Sequence, residues 1–154
     1  MQTKPDTDAP SLTADDIADL RSAAGAMIPP AAEFDVPGAD DPTIFADILA
    51  SLGRDFQDVR AAVHEIRALA GGSLADLDSD RREAVIMSFH EQGGARAAAL
   101  SRAVLQCYYR DDRVLRSVGH EPRPPFPMGH EVEQGDWSLL DAVRNRPKLW
   151  RDAP

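Results

Sequence analysis

A chain of 154 residues, 43% of them hydrophobic, with a formal charge of −9 is long enough for one domain with a proper core, removing about 68–70% of its unfolded surface from water. It has no apolar run of about 18 residues, which excludes a predicted transmembrane helix. Its single cysteine, Cys107, excludes an internal disulfide and any iron–sulfur or Cys-based zinc site made by this chain alone. The acids lie early, with 18 acidic and 7 basic residues in 1–92 against 8 and 10 in 93–154, a distribution that repels nucleic acid.

Residues 1–11 are polar and read as a disordered tail. The opening, MQTKPDTDAPSL, has no apolar h-region and no twin arginines. That predicts a cytoplasmic chain, or a periplasmic one if it is exported with a partner or a signal has been removed. Thr13 reads as the N-cap of a first helix, with Asp15 and Asp16 in its positive first turn and Leu12 and Ile17 at staple spacing. Ile17, Leu20, Ala24 and Met27 recur at helical intervals and predict its buried face. Pro29 and Pro30 end it. Residues 29–41 form a long connection, and Asp41-Pro42 reads as an N-cap with proline at the first helical position.

Ile44, Phe45, Ile48, Leu49 and Leu52 make the apolar face of the second helix. After Gly53 a third restarts at Asp55, with the stripe Phe56, Val59, Val63, Ile66 and Leu69, and Gly71-Gly72 closes it. Leu74 and Leu77 are anchors, Asp78 or Ser79 is a cap, and Val85, Ile86 and Phe89 are the buried face of a fourth helix ended by Gly93-Gly94. Residues 95–109 are the most apolar segment. Leu100, Val104, Cys107 and Tyr108 lie on one side with Leu105 and Tyr109 beside them, and Ala97, Ala98, Ala99 and Ala103 let neighbours approach closely, as in a central bundle helix. Asp112 to Val118 predicts a further short helix stopped by Gly119, and Asp136 caps a last one over 138–143. There is no useful strand alternation and no repeat. The expected fold is all-α: one helical-bundle-like domain of five or six helices over 12–118, with a proline-rich irregular arm and short C-terminal helix, 119–154, belonging to it.

Chemistry-bearing motifs are sparse. There is no G-x-G-x-x-G after a strand, no P-loop and no G-x-S-x-G elbow. His64 and His90 fall on polar faces or edges of helices, and the carboxylates are scattered over positions expected to face solvent. No nucleophile is paired with a base, so the chain is not expected to be catalytic alone, nor to bind a metal or flavin itself. Arginine supplies 15 of the 17 bases, as a GC-rich genome would give, or as suits ion pairing at an interface.

The segment GHEPRPPFPMGHE, Gly119 to Glu131, stands apart. Pro122 to Pro127 favours polyproline II, a stiff conformation that loses little entropy on docking. Arg123, Phe126, Trp137 and Trp150 are residue types that anchor interfaces, and the alternative, that these rings are buried in their own bundle, stays open. His120 and His130 bracket the segment, and a ligand or acid–base role there is the weaker reading.

Leu105 to Val132, LQCYYRDDRVLRSVGHEPRPPFPMGHEV, resembles the signature region of the gluconate 2-dehydrogenase subunit 3 family, small subunits that accompany flavin-dependent glucose–methanol–choline (GMC) oxidoreductases. Tyr108-Tyr109, Asp112, Val114, Gly119-His120, Pro122 to Pro127 and Gly129-His130 carry the likeness. Met27 to Pro30 with the acidic, glycine-bearing loop after it, and Asp136 to Arg151, are similar to other parts of the family. The resemblance implies a non-catalytic small subunit that stabilises or helps mature a large FAD-binding partner, which oxidises an alcohol of a sugar or sugar-like substrate. With no C-x-x-C-H here, any electron-transfer subunit would be separate. The candidate partner interface is then Tyr108, Tyr109, His120, Arg123, Pro124, Pro125, Phe126, Pro127, His130, Trp137 and Trp150. The alternative is a free-standing helical adaptor that binds a partner protein through the proline-rich arm.

Overall fold

Local hydrogen bonding starts most of the helices. Thr13 and Asp16 close a capping box, each backbone N–H donating to the other's side chain at 3.1 Å, and α1 runs from there over Ala14–Met27. Asp41 accepts from the Thr43 and Ile44 amides to begin α2, Pro42–Ser51. A single 3-10 turn, Gly53–Asp55, leads into α3, Phe56–Ala70, which Gly71 closes at φ +69°. Asp78 caps α4, Ser79–Gln92, and Asp111 caps α6, Asp112–Ser117. Between them lies α5, Gly94–Tyr108. The computed structural model describes residues 11–124, 126–131 and 133–147. The expected N-terminal tail, apart from Ser11, lies outside them, as do Pro125 and Trp150.

The described residues are all-helical, with seven α-helices, short 3-10 turns, one isolated bridge (Ala31 with Val36) and no strand. No helix among them is long and apolar enough to cross a membrane. They fall into two compact units, one ending at Pro122 and one beginning at Arg123. The second unit contains a 3-10 turn, Trp137–Leu140, capped by Asp136, and α7, Asp141–Arg144.

In the first unit α5 packs along α3 and α2, and α4 covers α1 and α3. Leu20, Ile44, Ile48, Val59, Val63, Ile66, Phe89, Leu100, Val104 and Val114 are fully buried at the centre. Ala97, Ala99 and Ala103 are buried on α5, where small side chains admit the neighbouring helices closely, while Ala98 faces out. The buried face of α1 is rotated from the expected one. It consists of Asp16, Asp19, Leu20, Ala23 and Ala24, with Ile17 and Met27 only half-buried. Leu69 and Leu105, expected on apolar faces, are also exposed.

The connection between α1 and α2 is tightly built. Ala31 and Val36 exchange backbone hydrogen bonds of 3.1 and 3.2 Å around the 3-10 turn Ala32–Phe34, and the Ala39 amide donates to Ile28 O at 2.9 Å. Gly38 is required by space: a Cβ there would lie 2.5 Å from Asp40 Oδ1 and 3.0 Å from the ring nitrogen of Pro30. Gly38→Ala is therefore expected to cost about 1–3 kcal/mol through overpacking. A melting temperature equal to that of the parent chain would show that the loop yields instead.

Candidate functional site

The residues expected to meet a partner are divided between the two units. Tyr108 ends α5 inside the core, 6% exposed, and its ring meets that of Tyr109 edge-on at 5.4 Å. The Tyr109 ring projects from the surface, 52% exposed. Their positions follow from helical geometry, since adjacent residues sit 100° apart and only one can face α2 and α3. His120 is exposed, and its amide donates to Leu115 O at 2.9 Å beyond Gly119, whose φ of +80° turns the chain out of α6.

In the second unit Pro124, Pro127 and His130 are exposed and Arg123 is half-buried. Residues 126–128 form a turn. Phe126 is 84% exposed and Met128 83%. Trp137 is exposed too, its indole N–H donating to Gln134 Oε1 at 3.3 Å. Leu139, Leu140 and Val143 add further apolar surface on the short helical stretch that follows.

The first unit holds a polar centre that the sequence reading placed in solvent. Asp16 and Asp19, one turn apart on α1, are 2% and 1% exposed. Arg67 of α3 joins them, its Nη2 and Nε each 2.7 Å from Asp19 Oδ2 and its Nη1 3.2 Å from Asp16 Oδ1. Asp19 Oδ1 accepts from Ser73 Oγ at 2.7 Å and from the Ala75 amide at 3.2 Å. His64 Nε2 lies 3.3 Å from Asp16 Oδ1. Burial pushes both carboxyls up. At Asp19 the Ser73, Arg67 and Ala75 hydrogen bonds outweigh it, and at Asp16 the Thr13 hydrogen bonds with His64 and Arg67 do so. Both groups end below the usual aspartate range. The centre fastens α1, α3 and the turn at 74–76 to one another.

Ion pairs elsewhere engage five arginines of α5, α6 and the turn between them. Arg96 pairs with Glu65, Arg102 with Asp55, Arg110 with Asp47, Arg113 with Asp41 and Asp111, and Arg116 with Asp112. Four of these arginines, Arg96, Arg102, Arg110 and Arg113, reach acids on α2, α3 or the segments leading into them, so the basic stretch 96–113 offsets part of the acidic half of the chain from within.

No family model, curated protein or solved structure matches the chain. Its chemistry therefore has to be read from its own groups. Burial raises the Cys107 thiol, which keeps it protonated and a poor nucleophile, and it raises the Tyr108 hydroxyl. The only strongly buried carboxylates among the described residues are Asp16 and Asp19. Asp19 is taken up by Arg67, Ser73 and the Ala75 amide, and Asp16 accepts from the Thr13 amide at Oδ2 while its Oδ1 has only the ion-pair contacts to Arg67 and His64. No group of three or more His, Cys, Asp or Glu side chains among the described residues is placed to hold a metal ion. What the second unit offers is apolar surface in water, chiefly Phe126, Met128 and Trp137.

Proposed function

We propose that this chain is a non-catalytic small subunit of a flavin-dependent GMC-type oxidoreductase, stabilising a large FAD-binding subunit that oxidises an alcohol of a sugar or sugar-like substrate. The observation that carries the reading is the coincidence of two features on one segment. Residues 105–132 hold the resemblance to subunit 3 of gluconate 2-dehydrogenase, and within them Phe126 and Met128 stand more than four-fifths in water. A large apolar side chain so exposed on a segment rich in proline is surface for a partner. Prolines limit what the backbone can do when unbound, so little further entropy is lost when the partner closes over it.

Phe126→Ala tests this on the co-purified complex. Loss of binding by about 2 kcal/mol, or about 30-fold in Kd, is expected if the ring fills a partner pocket. The helical circular dichroism of the free chain should not change, because this ring supports no core. Unfolding of the free chain by Phe126→Ala, with normal binding by whatever remains folded, would make the segment internal structure and end the proposal.

A further inference from the structure

Residues 29–41, PPAAEFDVPGADD, connect two helices with a span in which prolines at 29, 30 and 37 fix φ. Connections of this length usually move, but this one is braced at each stage. Ala31 and Val36 pair through both backbone groups, and Ala39 is tied back to Ile28. Arg21 Nε of α1 donates to Asp40 O at 3.0 Å. The Asp40 side chain lies against Gly25 of α1, where a Cβ would come within 2.9 Å of it. Arg113 of α6 grips the Asp41 carboxylate at 2.9 and 3.2 Å. The 3-10 turn at the tip, Ala32–Phe34, ends in Asp35 at φ +52°, a left-handed residue that turns the chain back.

This construction holds Phe34 out into water with 64% of its surface exposed. The ring is no part of the core. It forms one wall of a cleft of about 750 Å3 whose other walls include Val36, Pro37, Arg113 and Arg116. A loop fixed by so many hydrogen bonds, yet presenting its largest apolar side chain to solvent, is preorganised for insertion. Glu33 and Asp35 flank the ring, and neither forms an ion pair among the described residues. The arginines behind them are already neutralised by Asp41, Asp111 and Asp112. The tip is therefore an apolar knob between two uncompensated negative charges, and its complement is an apolar socket with Lys or Arg at the rim.

We propose that Phe34 is a second anchor, separate from the segment around Phe126, and that it enters an apolar, basic-rimmed socket on the large flavoprotein subunit; the choice of that partner rests on the function proposed above. Three variants of the full chain are compared with the parent for binding to a purified large FAD-binding GMC subunit from the same genome, by biolayer interferometry across a salt series. Phe34→Ala is expected to raise Kd by about 30-fold with an unchanged melting temperature. Met87→Ala removes a comparably exposed apolar side chain from α4 and is expected to bind like the parent. Glu33→Gln with Asp35→Asn keeps the left-handed turn, which Asn tolerates, and is expected to slow association and flatten its salt dependence.

If the parent binds and Phe34→Ala binds equally well, or if Met87→Ala weakens binding as much as Phe34→Ala does, the anchor is refuted while the subunit assignment stands. An unchanged association rate in the charge-neutral variant refutes the basic rim. A parent chain that does not bind the flavoprotein at all refutes both this anchor and the function on which it rests.

Discussion

Arg67→Met is expected to destabilise the first unit by about 3–5 kcal/mol at neutral pH, because it leaves two buried carboxylates without their shared cation. Asp16 and Asp19 are almost fully removed from water, and Arg67 is the one side chain that reaches both. Met retains an apolar stem like that of the arginine and lacks only the guanidinium end, so lost packing contributes less than lost charge.

The pH dependence separates this cause from simple loosening. In the parent chain both carboxyls titrate below the usual aspartate value. A depressed folded-state pKa gives stability that is fully present above the unfolded value, near 3.9, and lost as pH falls through the folded one. In Arg67→Met the burial that pushes these groups up is opposed only by Thr13 and His64 at Asp16, and by Ser73 and Ala75 at Asp19. Their pKa values then rise above those of the parent, the folded variant takes up protons at a higher pH than the folded parent does, and the stability gap between the two narrows as pH falls toward the raised values. Urea unfolding at pH 7, 5.5 and 4.5 should show the gap between parent and variant closing with acid. A gap that is constant with pH would mean that Arg67 acts through packing and not through charge.

This polar centre also marks where the sequence stopped being legible. Helix boundaries could be read because capping is local: Thr13, Asp41, Asp78, Asp111 and Asp136 each bond an amide two or three residues away. The role of Asp19 could not, because its partners Arg67 and Ser73 are 48 and 54 residues distant. In the sequence Asp16 reads as a first-turn acid and Asp19 as one more carboxylate at a position expected to face solvent. Only the approach of α3 and the turn at 74–76 makes them interior. Apolar stripes misled in the opposite direction, since Leu69 and Leu105 continue a periodic face past the edge of what neighbouring helices cover.

The candidate surface was legible in part. Phe126 and Trp137 were singled out by residue type, and both are exposed. Tyr108 and Tyr109 enter the candidate interface together as a pair of the motif that carries the resemblance, whereas helical rotation sends one ring into the core and the other out. Phe34 carried no signal, because it lies in a connection without periodicity and its exposure is set by Arg21 and Gly25 of α1, Gly38 of the connection itself and Arg113 of α6.

Phe89→Ala is expected to cost about 3–5 kcal/mol, and the loss should appear first in α4. That helix buries only Ile86 and Phe89 fully, so removing the larger of the two takes away most of what holds it to α1 and α3. Met87→Ala, on the outward side of the same helix, should change stability by less than about 0.5 kcal/mol. Hydrogen exchange reads the difference locally: amides of residues 79–92 should lose protection in Phe89→Ala before those of α5 do. The effect should also travel to the polar centre. Arg82 of α4 donates to Leu77 O at 2.8 Å and to Ala75 O at 3.4 Å, bracing the turn whose Ala75 amide binds Asp19. When α4 detaches, that brace goes with it, and the Ala75 amide should exchange faster as well. Because both substitutions then act on the same turn, Phe89→Ala combined with Arg67→Met should cost less than the sum of the two. Strict additivity, with Ala75 protected as in the parent, would show that α4 and the buried aspartates are held independently.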